Sequence, residues 1–83
     1  MKNFLGFKAF GTAMGDDKSI QLDEITLVAN AETIRLLGIF LINSAYEMEE
    51  NEIEHIHLQD VMDNFSYENH VDIITHLPNQ LSD

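Results

Sequence analysis

The pattern of residues 31–50 predicts one long helix, and this helix constrains the fold more than any other feature of the sequence. Apolar residues recur there at three- and four-residue spacing, as on one face of an α-helix. Asn30 is a suitable N-cap, and Glu32 favours the positive end of the helix. At 1.5 Å per residue the helix is about 30 Å long, which is the diameter of a small domain. The remaining elements must therefore pack along it.

The middle of this helix carries more apolar residues than one face can hold. A helix that covers a small sheet needs a single apolar stripe, whereas this one is apolar almost all round. A chain of 83 residues has little material with which to cover a second face. The surplus indicates either an overfilled core helix or a homodimer interface, and the sequence leaves both open. The candidate homodimer residues are Leu36, Ile39, Phe40 and Ile42.

Strand patterns precede and follow the helix, two on each side. They predict an α+β fold of order ββαββ, in which a small antiparallel or mixed sheet carries one long helix on one face. The second strand contains a phase slip at Asp23 and Glu24, which predicts a bulge or a short turn there. Pro78 ends the last strand. The predicted strands are residues 4–10, 18–29 (one strand or a broken pair), 53–60 and 71–77.

Length and composition predict one domain in a reducing compartment. Residues 1–83 contain no linker or repeat, so we expect a single domain with a frayed tail at residues 79–83. Small secreted domains usually need disulfides, and this chain has no cysteine, which favours a cytoplasmic location. The longest apolar run is far short of the roughly 20 residues that span a bilayer. We therefore expect no membrane association.

The net charge of −11 is unusual for this length and is unevenly distributed. Residues 1–35 hold all four basic residues and five acids, whereas residues 36–83 hold ten acids and no lysine or arginine. Nucleic acids and anionic membranes are repelled by such a surface, because binding them requires basic side chains. A basic protein is attracted by it. The charge therefore predicts a basic protein partner or, more simply, a surface that keeps the protein in solution.

A His-X-His pattern is the nearest approach to site chemistry in the sequence. If the last two strands are neighbours, His55, His57, Gln59, Asp72 and His76 share the face opposite the helix. Such a set can ligate zinc, but half-exposed polar residues on the wet face of a sheet are the commoner explanation. The sequence also has no nucleophile elbow or phosphate-binding loop. We therefore expect no metal, no cofactor and no catalytic residues.

Two stretches resemble a known family. Residues 25–37 (ITLVANAETIRLL) run into the helix, and residues 54–60 (EHIHLQD) are followed by Val-Asp-Ile-Ile at 71–74, before Pro78. Together they resemble the bacterial immunity protein 32 family, over about residues 20–78. Members of this family are predicted to be encoded beside polymorphic toxins and to neutralise them. The resemblance implies a non-enzymatic inhibitor.

Three functions follow as hypotheses, in order of preference. The first is an immunity-type inhibitor that binds and neutralises a cognate basic toxin domain. The second is a homodimeric acidic accessory protein, and the third is a small metal-binding protein that uses His55, His57 and His76. For the first hypothesis, the predicted partner-binding residues are Glu47, Glu49, Glu50, Glu52, Glu54, His55, His57, Gln59 and Asp60.

Overall fold

The computed structural model describes residues 2–78 and confirms the α+β class. The predicted single sheet is wrong: the strands form two separate two-stranded antiparallel sheets, β1–β2 and β3–β4. A short second helix also interrupts the predicted order. The tail at residues 79–83 lies outside the described residues. The elements are β1 (Ala9–Gly11), β2 (Ile20–Leu22), α1 (Ala31–Glu50), β3 (His55–His57), α2 (Leu58–Val61) and β4 (Ile74–His76).

Helix α1 has the bounds that its sequence pattern predicts. At its start the Asn30 side chain accepts the Thr33 N–H at 2.9 Å, which satisfies one of the free donors of the first turn. At its end the Asn51 N–H donates to the Glu47 carbonyl at 2.9 Å, and the Asn51 amide donates to the Glu47 carboxylate at 2.7 Å. Glu52 then adopts a left-handed backbone with φ of 56°. The chain leaves the helix there and continues towards β3.

The N-terminal hairpin is shorter than its sequence predicts. Its strands pair Ala9 with Leu22 and Gly11 with Ile20. The predicted strand at 4–10 begins only at Ala9, and the predicted segment 18–29 is a strand only at 20–22. Strand structure requires a partner backbone, and the residues outside the hairpin ladder have none within the described chain. The second strand ends at a bend at Asp23, where the phase slip was predicted.

The C-terminal hairpin confirms that the last two strands are neighbours. His55 lies opposite His76, and His57 lies opposite Ile74. Backbone hydrogen bonds extend the hairpin at both ends, from the Leu58 N–H to Ile73 and from the Leu77 N–H to Glu54. The predicted strand 53–60 is wrong beyond His57, because α2 begins at Leu58. Likewise, the predicted strand 71–77 is a strand only at 74–76.

The chain buries little of its own apolar surface. Among residues 2–78, only Phe40 and Ser44, both on α1, are buried. The accessible surface is 7931 Å², whereas a compact protein of 9.5 kDa exposes about 5,000 Å². The radius of gyration is 13.8 Å, against about 12 Å for a compact chain of this length. The chain is therefore less compact than a typical protein of its size, and α1 is the longest element among the described residues.

Phe40 is buried within its own chain, unlike the other three residues of the predicted homodimer interface. Its side chain is 7% exposed, while those of Leu36, Ile39 and Ile42 are about half exposed or more. The surplus apolar residues of α1 therefore divide into one core residue and three that remain accessible.

Replacing Phe40 with alanine should unfold most of the protein. Phe→Ala changes in cores cost about 3–5 kcal/mol, which is comparable to the whole stability of a small domain. The matched control is Ile42→Ala on the same helix, where the side chain is 71% exposed and little packing is lost. Urea denaturation followed by circular dichroism measures both. Equal losses in the two variants would show that Phe40 is not the core residue of α1.

Candidate functional site

A run of carboxylates joins the end of α1 to β3. We call it the acidic segment. Glu47 is half-buried, and the other four carboxylates are exposed. Within residues 2–78 none of them pairs with a lysine or an arginine, so their field extends into solvent. The acidic segment comprises Glu47, Glu49, Glu50, Glu52 and Glu54.

Three histidine rings lie together on the C-terminal hairpin, as predicted for neighbouring strands. The His55 and His76 rings stack with centroids 5.5 Å apart and planes 12° apart. The His57 ring meets His55 edge-on at 5.4 Å. In the part of the chain that the structure describes, no group of three His, Cys, Asp or Glu side chains is arranged to hold a metal ion. The stacked rings instead offer a flat surface directly after the acidic segment.

Asp72 organises the junction between β3 and α2. Its carboxylate accepts a hydrogen bond from His57 Nδ1 at 2.7 Å and another from the Gln59 backbone N–H at 3.0 Å. Because an ionised carboxylate only accepts, the Nδ1 atom of His57 carries the proton. The Tyr67 hydroxyl donates to the Gln59 side-chain oxygen at 2.6 Å. This network holds the start of α2 against the segment that precedes β4.

The predicted partner-binding residues differ in their exposure and in what they contact. The acidic segment and His55 follow one another and have accessible side chains, apart from half-buried Glu47. His57 and Gln59 are half-buried and engaged with Asp72 and Tyr67. The prediction that Gln59 lies on the histidine face of a strand is wrong, because Gln59 lies in α2. Asp60 is exposed but also lies in α2, beyond this junction.

An apolar groove of about 1110 Å³ runs along α1, and the sequence analysis did not identify it. Its walls are α1, residues 26–29 and the chain between Ile53 and Ile73. Glu47 and Asp63 are the carboxylates in its lining, which includes no lysine or arginine. The Ser44 hydroxyl is also in the lining, buried and without a hydrogen-bond partner. The apolar lining includes Leu36, Leu37, Ile39, Ile56, Val61 and Val71.

Comparisons with known proteins do not identify this chain. No protein-family model, curated protein or solved structure matches it. The resemblance to the immunity protein 32 family therefore stays a prediction from the residue pattern. Among the helices of residues 2–78, none combines the length and the apolar character required to cross a bilayer.

Replacing Asp72 with alanine should destabilise the C-terminal hairpin. The change removes two charge-assisted hydrogen bonds and leaves the Gln59 N–H without its acceptor, which costs about 2 kcal/mol. The matched control is Asp60→Ala, which removes an exposed carboxylate from the adjacent helix and should change the free energy of unfolding very little. Urea denaturation compares the two variants. If Asp72→Ala is as stable as Asp60→Ala, the network does not support the junction.

Proposed function

We propose that this protein is an immunity-type inhibitor, which binds a basic toxin domain and blocks the site where that domain engages its substrate. The acidic segment and His55 form the contact surface. The protein contributes binding and no chemistry of its own.

The arrangement of the acidic segment is the observation that carries this proposal. Five carboxylates within eight residues leave the end of a long helix, where the helix dipole already disfavours negative charge. None is neutralised by a lysine or an arginine within residues 2–78. The protein therefore keeps a repulsive cluster that a basic partner would relieve. Stability alone does not explain such a cluster.

A basic target explains how binding would inhibit. Enzymes that act on nucleic acids bind phosphates with lysine and arginine. A surface of closely spaced carboxylates presents the same sign of charge and can occupy such a site in place of the substrate. Long-range attraction speeds the encounter, and a few buried contacts determine the lifetime of the complex. The flat His55 and His76 ring pair beside the acidic segment is suited to such contacts.

The second candidate, a homodimeric accessory protein, is favoured by a different observation. The apolar groove leaves Leu36 and Ile39 about half exposed, and a second copy of the chain would cover them. The two candidates are compatible, because the acidic segment and most of the groove lie on different parts of the chain.

Charge reversal of the acidic segment should slow association with the toxin domain encoded beside this protein. Glu49→Lys, Glu50→Lys and Glu52→Lys together should lower the association rate at least about tenfold, with little change in dissociation. The matched control reverses Asp16, Asp17 and Asp23 on the N-terminal hairpin, which changes the net charge by the same amount. The control should lower the rate only about threefold or less, because only the general field is altered. Stopped-flow binding measures both rates.

The proposal fails at two separate levels. If co-expression with the neighbouring gene product neither rescues cells nor yields a complex, the protein is not an immunity-type inhibitor. If a complex forms but both triple variants slow association equally, inhibition stands and the acidic segment is not the contact surface.

A further inference from the structure

The chain exposes more surface than a compact protein of its mass, which indicates that another chain covers part of it. The surplus over a compact protein of the same mass is about 2,900 Å². An obligate homodimer buries roughly 1,000–2,500 Å² from each subunit. A second copy of the chain would thus cover from about a third to most of the surplus. The groove is the natural place for it, because it is a continuous apolar concavity of about 1110 Å³ along α1.

The N-terminal segment, residues 2–8, has the complementary character. Its side chains Phe4, Leu5 and Phe7 are 69–93% exposed, and none of residues 2–8 lines the groove of its own chain. The segment precedes β1 and forms no strand. Three large apolar side chains are thus presented to solvent beside a hairpin that packs mainly on itself.

The charge and the length of residues 2–8 also match those of the groove. The segment begins with Lys2 and ends with Lys8, while the carboxylates of the groove lining are Glu47 and Asp63. Seven residues in extended form reach about 23 Å. The groove follows α1 from Thr33 to Glu47, a helix length of about 21 Å. An extended basic and aromatic segment therefore fits along an acidic-edged apolar groove.

We propose that this protein is a reciprocal homodimer, in which residues 2–8 of each copy lie in the apolar groove of the other. The arrangement is a closed two-fold exchange, so both grooves are covered and neither segment is left exposed. Lysines of one copy meet carboxylates of the other, which offsets the repulsion between two chains of charge −11.

Sedimentation equilibrium of the full chain tests this arrangement. The wild-type protein should be a dimer with a Kd in the micromolar range or below. Ile39→Glu damages the groove and Phe7→Glu damages the segment, so each should raise Kd at least about tenfold. The matched controls are Ile42→Glu on α1 and Met14→Glu on the hairpin turn, both exposed and outside the groove. These controls should change Kd about twofold or less.

Mixing the two damaged variants distinguishes exchange from any other dimer. A pair of one Ile39→Glu chain and one Phe7→Glu chain retains one undamaged contact, namely the intact segment of the first in the intact groove of the second. The mixture should therefore associate more tightly than either variant alone. Circular dichroism confirms that both variants keep their helix.

Three results would overturn the proposal. These are a wild-type chain that is monomeric at about 100 μM, a dimer that neither variant weakens, and weakened variants that do not recover on mixing. The proposal is independent of the proposed function, since a monomeric chain that still neutralises its toxin would overturn the dimer only.

Discussion

The burial of Phe40 on helix α1 is the interaction on which the rest of this structure depends. Helix α1 is held at both ends by asparagine caps and carries Phe40, the one buried large apolar side chain among residues 2–78. Burying such a side chain contributes on the order of 3 kcal/mol. This is a small contribution for a whole domain, so much of the apolar surface of α1 is left to be covered by something else. The groove along α1 is part of the apolar surface that this small core leaves uncovered.

The distribution of charge divides the chain into surfaces with different uses. The C-terminal half repels itself, nucleic acid and anionic membranes, and attracts basic groups. The N-terminal half carries the lysines and several exposed aromatic rings. Two copies can therefore match opposite halves, while Glu49, Glu50, Glu52 and Glu54 of the acidic segment stay accessible for a basic target. In this account self-association completes the fold, and the proposed inhibition uses what remains exposed.

What the sequence could predict depends on whether the deciding interaction is local. The bounds of α1 were predictable because the Asn30 cap and the apolar spacing act within a few residues. The strand at 53–60 was predicted too long, because Asp72 accepts the Gln59 N–H from 13 residues away and α2 replaces its second half. The histidine cluster was predictable from alternation once two strands were neighbours. The groove was not predictable, because the relative placement of its walls (α1, residues 26–29 and the chain between Ile53 and Ile73) depends on tertiary contacts.

The central claim is that the groove is covered in solution, and alkylation of a single introduced cysteine tests it most directly. The chain has no native cysteine, so Val61→Cys in the groove lining reports only on that position. Met14→Cys on the exposed hairpin turn is the reference, since it lies outside the groove. With iodoacetamide, the Val61→Cys rate should fall at least about tenfold as protein concentration rises through the dimer Kd, while the Met14→Cys rate stays constant. A Val61→Cys rate that does not depend on concentration would show that the groove stays open, and would contradict the account.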